Sequence, residues 1–259
     1  MLKTRPYPEI ASLSIALFIA SAFVVTWYYA LFRVRFGVTA WWQVLLTWLL
    51  LEFLYTGLFI TTHDAMHGSV SKSNKRLNDF LGALSISMYA WFDYGMLFEK
   101  HWEHHDRTGL VDQDPDFHGP GTAAMLPWFA RFMATYVTPT QLVKLSAFGA
   151  ILSLCFGVPI ANQAVFMAGA GLASAFRLFY FGTYEPHRPN DGDPSRAMPW
   201  EASHSSKHSR PLSFLKCYHF DYHWEHHRWP DAPWWMLPSY KNHRMPYFSR
   251  KSSVTEKLK

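Results

Sequence analysis

The chain has 259 residues, a formal net charge of +5 and an aromatic content of 18%. Its mean hydropathy of −0.07 averages apolar segments with polar, histidine-rich ones. The basic residues are scattered and form no nucleic-acid-binding motif, so we expect anionic lipid headgroups rather than nucleic acid as partners. Two cysteines, Cys155 and Cys217, exclude a disulfide framework.

The first part of the chain contains two long apolar runs, residues 10–32 and 41–62, separated by a short basic turn. About 20 apolar residues span a hydrocarbon core of ~30 Å. The first run is long enough to remain as an anchor rather than a cleaved signal. The two runs therefore predict a transmembrane hairpin that ends at His63 and His67.

Residues 80–98 are apolar enough to span a membrane, but they include Asp93. A spanning helix here would put His101 on the opposite side of the bilayer from His63. One metal site cannot be divided in that way. We therefore predict a segment that is re-entrant or lies at the interface, buried against other helices.

The next segment, residues 106–121, is predicted to be an acidic loop. Asp114 and Asp116 in this loop, and Asp64 beside His63, are candidates for hydrogen bonds to metal ligands. The alternative is that such carboxylates cap helices or face water. Residues 126–136 are predicted to form an amphipathic interfacial helix.

A second hairpin is predicted from residues 142–158 and 164–183, with a turn at 159–163. Its exit carries His187. Four spans would return every histidine motif and both termini to one side of the membrane. The sequence thus predicts an all-α integral membrane protein with a histidine-rich cap, forming one domain over residues 1–259.

The distribution of basic residues predicts the orientation. Only Arg33 and Arg35 lie in the two turns on the far side. The positive-inside rule therefore makes the histidine side cytoplasmic. Residues 189–211 are predicted to be a loop, and the tryptophans of 230–238 suit the headgroup region.

Histidines form three clusters, one H-x-x-x-H motif and two H-x-x-H-H motifs. Positions i, i+3 and i+4 share one helix face, so His223, His226 and His227 are expected to converge on one point. With His219 beside the last motif, and His187 at the end of the fourth span, nine or ten imidazoles are present. That number is too many for one metal ion and fits two. Imidazole ligation leaves zinc, copper and iron open. Zinc, which does no redox chemistry, would favour a membrane receptor or hydrolase.

Several stretches together resemble bacterial and cyanobacterial β-carotene ketolases of the membrane fatty-acid desaturase and hydroxylase superfamily. They are residues 59–68 (FITTHDAMHG), 179–187 (FYFGTYEPH), 217–227 (CYHFDYHWEHH) and 233–238 (PWWMLP). The resemblance extends from about residue 53 to residue 238.

The resemblance implies an O2-dependent enzyme with two iron ions that oxidises the C4 methylene of a β-ionone ring. Two hydroxylations would give a geminal diol that loses water to leave a ketone. The metal ligands that motifs and resemblance together assign are His63, His67, His101, His104, His105, His187, His223, His226 and His227. His219 is either a tenth ligand or, as we favour, a hydrogen-bonding partner. The histidines placed outside the site are His118, His204, His208 and His243.

The resemblance also implies a carotenoid taken from the bilayer and electrons from a soluble donor such as a ferredoxin. Basic residues on the cytoplasmic side either dock this acidic donor or face lipid phosphate. They are Lys72, Lys75, Arg76, Arg107, Lys207, Arg210, Lys241 and Arg244. The alternative functions are a carotenoid hydroxylase, or a desaturase or hydroxylase of fatty acids or alkanes.

Aromatic residues near the predicted site either line a channel for the polyene or take part in ordinary membrane packing. They are Trp91, Phe92, Phe179, Tyr180 and Phe181.

Two ionisable residues lie within predicted spans, Glu52 in the second and Arg177 in the fourth. Each is about three helical turns before a histidine, at a depth of about 15 Å. Intramembrane charges usually face the bundle interior and pair. We predict a Glu52–Arg177 ion pair, with separate snorkelling as the alternative.

Overall fold

The computed structural model describes residues 4–117, 124–187 and 203–241, and within these ranges the protein contains helices and no strand. Seven longer helices come first: α1 (Glu9–Phe32), α2 (Trp41–Met66), α3 (Lys75–Ala90), α4 (Tyr94–Arg107), α5 (Met125–Tyr136), α6 (Pro139–Phe156) and α7 (Ile160–His187). Three short ones follow: α8 (Arg210–Cys217), α9 (His223–Arg228) and, after a 3-10 turn at Trp234–Met236, α10 (Leu237–Tyr240).

Four of these helices, α1, α2, α6 and α7, are long and apolar enough to cross a membrane. They confirm the predicted number of spans. The predicted turn at 159–163 is wrong, because α7 already begins at Ile160. Gly157 ends α6 with φ of 66°, and the extended backbone of Pro159 leads directly into α7.

Helix α2 is the central element, packing against α1, α3 and α7. Its second half is buried over nearly every residue, including Leu51, Tyr55 and Leu58. A helix that is apolar all round suits a position surrounded by other helices. This packing fixes the end of α2 where His63 and His67 lie.

The segment predicted to be re-entrant consists of two helices, α3 and α4, with a break at residues 91–93. Trp91 adopts a left-handed conformation with φ of 57°, which ends α3. Asp93 then accepts a hydrogen bond from the Met96 amide and caps α4. The break returns the chain to the end of α2, where His101 contacts His67.

The helix that carries His187 is irregular. Helix α7 contains π-helical segments at Gln163–Gly169 and Tyr180–Tyr184, the second just before His187. Such segments change the direction of the side chains that follow and are frequent at functional sites.

The helix predicted at 126–136 is α5, whose Trp128 donates to the Asp116 carbonyl over 2.8 Å. Residues 189–202 of the predicted loop at 189–211 lie outside the described residues.

Candidate metal centre

The nine predicted ligands lie together, and eight of them form two groups of four whose nitrogen atoms lie within 4.8 Å of one another. The first group is His63, His67, His101 and His226. The second group is His104, His187, His223 and His227. All eight are buried except the partly buried His101.

The H-x-x-H-H motifs are divided between the groups. In α4, His101 belongs to the first group and His104 to the second; in α9, His226 faces the first group while His223 and His227 face the second. The expectation that the α9 histidines converge on one point is therefore wrong. Neighbouring positions on a helix point about 100° apart, so one short helix can serve two centres.

His105 lies between the two groups. Its Nε2 atom is 2.9 Å from Nε2 of His226, and its ring centroid is 4.4 Å from that of His227. The H-x-x-H-H motif of α4, like that of α9, thus has members directed at both groups.

Distances between the ring nitrogens fit a shared metal ion in each group. Nε2 atoms are 2.6 Å apart in the His67–His101 pair and 2.9 Å apart in the His187–His223 pair. Two imidazoles that bind one metal at ~2.0–2.1 Å place their nitrogens roughly 3 Å apart when they are adjacent ligands. Burial and the neighbouring imidazoles hold the pKa of His226 well below its ordinary value. A neutral imidazole is the form that binds metal.

His104 has a carboxylate partner. Its Nδ1 atom is 2.8 Å from Oδ1 of Asp114, and the Gly109 amide donates to the other carboxylate oxygen over 2.7 Å. Burial opposes a charge on His104, but the two aspartates outweigh it and raise the pKa of His104 to about 9. The contact with Asp114 keeps the proton on Nδ1 and directs Nε2 at the second group, where a bound metal ion would replace the Nε2 proton.

The other two candidate carboxylates have different partners. Asp116 accepts a hydrogen bond from the Tyr136 hydroxyl. Asp64 accepts from the Trp234 amide over 3.1 Å, and its Oδ1 atom is 3.7 Å from Nδ1 of His63. Both aspartates lie near histidines, but neither makes a hydrogen bond to one, and of the three candidates only Asp114 does.

His219 lies outside both groups. Its ring stacks on Tyr222 with centroids 5.6 Å apart, and its Nδ1 atom is 3.0 Å from the Ser213 hydroxyl. Among the other histidines predicted to lie outside the site, His204 and His208 belong to neither group, and His118 and His243 lie outside the described residues.

An apolar cavity adjoins the histidines. It has a volume of about 80 Å³ and is lined by four of the ligands together with residues such as Phe59, Leu97 and Phe220. A larger cavity of about 740 Å³ lies beside it. The residues that line both are Tyr89, Phe92, Met133 and Ala175.

Only part of the predicted aromatic channel lines these cavities. Phe92 lines both and Trp91 lines the larger one, whereas Phe179, Tyr180 and Phe181 line neither. For these three residues the prediction that they line a channel is wrong. Phe179 is fully buried against Trp128 and other aromatic rings.

The face of α7 that lines the smaller cavity carries Ala175, Leu178 and Gly182. These positions recur at helical spacing, so residues 179–181 point elsewhere. From the sequence, Gly182 is not identified as a residue of the site. A Cβ atom at this position would lie 2.4 Å from the ring of Phe220, which itself packs on His63.

Glu52 and Arg177 are in contact across α2 and α7. Nε and one terminal nitrogen of the guanidinium each donate to a separate carboxylate oxygen over 2.6 Å. The other terminal nitrogen donates to the Leu215 and Lys216 carbonyls over 2.8 Å. The pair thus connects two spans to the end of α8, shortly before α9.

Comparison with known proteins agrees with this architecture. Residues 39–152 and 141–255 match the fatty acid desaturase family. The chain is 58% identical over 192 residues to a "Beta-carotene 4-ketolase 3" from Haematococcus lacustris, covering 73% of this chain and 59% of the relative. It is 50% identical over 241 residues to a "Zeaxanthin 4-ketolase" from Chlamydomonas reinhardtii, covering 90% and 54%.

A bacterial relative is covered more completely. Identity to a "Beta-carotene ketolase" from Paracoccus sp. (strain N81106 / MBIC 01143) is 40% over 191 residues, which are 73% of this chain and 75% of the relative. The chain spans between half and two thirds of the length of the algal relatives, 54% and 59% in the two cases. The family match covers all the histidine motifs and every described helix except α1. The chain belongs to the fatty acid desaturase family.

Proposed function

We propose that the protein is an O2-dependent carotenoid ketolase that converts the C4 methylene of a β-ionone ring to a ketone. The observation that carries the proposal is the pair of four-histidine groups at the head of an apolar cavity. Its support is the similarity to carotenoid ketolases of algae and bacteria. A ring that enters this cavity would meet the ligands directly.

The donor set fits two iron ions, one in each group, with His105 available to either. Bound iron would supply the activation of O2 that an allylic C–H bond requires. Hydroxylating C4 twice gives a geminal diol, which loses water to leave the ketone. Each hydroxylation consumes one O2 and two electrons, and we assign the electrons to a ferredoxin-type donor on the cytoplasmic side.

The surrounding residues orient the ring and exclude water. Phe59, Phe92 and Phe220 supply apolar walls, and Leu178 closes the side formed by α7. The Asp114 carboxylate holds His104 in one tautomer, so that Nε2 stays directed at the second group. Polar contacts are few, so the cavity selects a hydrocarbon ring by shape and apolar burial.

The test is expression in bacterial cells that already make β-carotene, with chromatography of the pigments and metal analysis of the purified protein. Ketocarotenoids and about two iron ions per chain are the expected result. Hydroxylated carotenoids alone would favour the hydroxylase, unchanged carotenoids with altered fatty acids a lipid desaturase. Zinc without iron would contradict the proposal.

The ligand assignment is tested in the same cells. Alanine at His104 or His226 should abolish ketone formation and lower the iron content, because each belongs to one of the groups. Alanine at His204, which is in neither group, is the matched control and should retain activity. An active His104→Ala protein with full iron content would overturn the assignment.

A further inference from the structure

The smaller cavity, which adjoins the histidines, has four polar side chains in its lining besides the metal ligands. The Tyr89 hydroxyl donates to the Gly171 carbonyl over 3.1 Å. The Tyr136 hydroxyl donates to the carboxylate of Asp116. Thr183 contributes a neutral hydroxyl from α7. Asp116 is the only carboxylate among the described residues of this lining.

Contacts to the backbone and the side chain hold Asp116 in position. Its amide donates to Oδ1 of Asp114 over 2.9 Å, and its carbonyl accepts from the Trp128 ring over 2.8 Å. Oδ1 of its carboxylate accepts from the Tyr136 hydroxyl. Because the backbone and one carboxylate oxygen are fixed, the direction of the other oxygen, Oδ2, is fixed as well.

Oδ2 of Asp116 is open to a ligand. It lies 3.9 Å from Nδ1 of His104, which is beyond hydrogen-bonding distance. That nitrogen is already 2.8 Å from Oδ1 of Asp114. Oδ2 accepts no hydrogen bond from the part of the chain that the structure describes, and the side chain of Asp116 stays 15% exposed where it lines the cavity.

The neighbouring walls of the cavity are apolar and include Phe92, Phe132 and Met133. A carboxylate oxygen beside such walls costs free energy unless a hydrogen bond satisfies it. Such acceptors in native proteins usually bind a ligand or water. An unsubstituted hydrocarbon ring brings no donor into the cavity, whereas a ring with a hydroxyl group at C4 does.

The proposed reaction passes through an alcohol of this kind. The first hydroxylation inserts one oxygen atom of O2 into a C–H bond at C4, and the other oxygen atom leaves as water with two electrons from the donor and two protons. The alcohol keeps one hydrogen on C4. The second hydroxylation must replace that hydrogen in the same way before the alcohol returns to the bilayer. Release at this stage would make the protein a hydroxylase.

We propose that Oδ2 of Asp116 accepts a hydrogen bond from the new C4 hydroxyl and retains the alcohol for the second hydroxylation. Asp116 thus determines whether the protein forms a ketone or releases an alcohol. The inference rests on the proposed function and concerns an intermediate of that reaction, whatever groups the rest of the carotenoid carries.

The experiment measures how the alcohol divides between release and further oxidation. Membranes that contain the full chain receive β-carotene, and chromatography of the first products gives the ratio of 4-hydroxylated carotenoid to ketone. This ratio does not depend on how much protein folds. Asp116→Asn keeps the shape of the side chain and an acceptor for Tyr136, but it removes the charge and replaces Oδ2 by a donor. Asp112→Asn, at an exposed position of the same loop, is the matched control.

We expect Asp116→Asn to raise the ratio of alcohol to ketone about 5- to 10-fold, the difference between a hydrogen bond to a charged group and one to a neutral group. Asp112→Asn should leave the ratio at the wild-type value. An unchanged ratio in Asp116→Asn would overturn the proposal and assign the acceptor to water. A larger change in Thr183→Val than in Asp116→Asn would also overturn it, because the retaining group would then be Thr183.

A binding measurement separates this inference from the ketolase assignment. Tryptophan fluorescence of the purified full chain reports polyene binding, because Trp27 and Trp91 line the neighbouring larger cavity. Wild-type protein should bind 4-hydroxylated β-carotene more tightly than β-carotene, and Asp116→Asn should reduce that preference about 5- to 10-fold. If no ketone forms, the ketolase proposal fails. The role of Asp116 as an acceptor for a C4 hydroxyl then stands if the preference falls in Asp116→Asn, and is refuted if the two proteins show the same preference.

Discussion

Individual side chains around the histidines are held by partners that leave them little freedom. Asp114 accepts hydrogen bonds from the Gly109 and Asp116 amides as well as facing His104. Three contacts to one small carboxylate fix its position. The orientation of His104 is therefore set by the acidic loop before any metal binds, which favours a preformed site.

Replacing Asp114 with asparagine should weaken metal binding at the second group. Asparagine keeps the shape but loses the negative charge that orients the Nδ1–H of His104. We expect iron affinity to fall about 10- to 100-fold. Metal titration of the purified protein measures this, with Asp112→Asn as control because Asp112 is exposed in the same loop. Equal affinities in the two variants would refute the role of Asp114.

Gly182 of α7 lies against the ring of Phe220, and that ring packs on His63. Because a Cβ atom at Gly182 would lie 2.4 Å from the Phe220 ring, Gly182→Ala should displace that ring toward His63. We expect ketone formation to fall at least 10-fold, a loss that a misplacement of about 1 Å is enough to produce. Gly171→Ala is the control, since nothing lies within 4 Å of a Cβ atom there. Full activity of Gly182→Ala would contradict this account.

The helices differ in how far their sequences predict them. Long apolar runs predict α1, α2, α6 and α7, because spanning a membrane requires length and low polarity. The break at Trp91 is harder to predict, since a non-glycine residue rarely adopts positive φ without tertiary support. The π-helical segment Tyr180–Tyr184 is likewise set by packing. This segment precedes His187 and includes Tyr180 and Phe181, which take part in packing and do not line the cavities.

The metal ligands, like the helices, are only partly predicted by the sequence. Histidine spacing identifies eight of the nine residues that lie together, because a helix places i, i+3 and i+4 on neighbouring positions of its surface. The ninth, His187, stands alone in the sequence and is assigned from its position at the end of the fourth span and from the family resemblance. It does not show that His226 belongs with α2 while His223 belongs with α7. That division depends on where α9 sits among the other helices, which spacing within one segment cannot encode.

The ion pair between α2 and α7 should contribute to stability. Arg177→Met should lower the free energy of unfolding by roughly 3–5 kcal/mol, because it leaves the buried Glu52 carboxylate without its partner. Glu52→Gln should lower it by less, since the Arg177 side chain is partly exposed. The double variant should recover part of this loss, but not all, since Arg177 also donates to the Leu215 and Lys216 carbonyls. Thermal unfolding in detergent or lipid discs measures the cycle. Strictly additive losses would show that the two side chains do not interact.

In the molecule as a whole, the histidines and the connection between α1 and α2 lie at opposite ends of α2. The histidines lie at the end of α2 and in α4, α7 and α9, whereas the short connection that carries Arg33 and Arg35 precedes the opposite end of α2. The apolar cavities lie between spans, and exposed basic residues such as Lys207 and Arg210 lie on the segment that leads into α8. Under the proposed function, a substrate dissolved in lipid and a soluble electron donor would therefore approach without competing for one surface.

Electron transfer from an acidic donor should accordingly depend on ionic strength. Lys75 and Arg107 already pair with Asp79 and Glu103 within their own helices, so they contribute less to docking. We expect Lys207→Glu combined with Arg210→Glu to raise the KM for a ferredoxin several-fold at low salt, because charge steering is lost.

Salt should reduce this difference, since exposed charges more than about 8–10 Å apart are largely screened at 0.1–0.15 M ionic strength. The control variant changes Arg33 and Arg35 to glutamate on the opposite connection and should leave the KM unchanged. Reconstituted turnover at several salt concentrations provides the measurement. If the wild-type KM for the donor did not change with salt, the basic residues would be assigned to lipid phosphate instead, as the positive-inside rule alone requires.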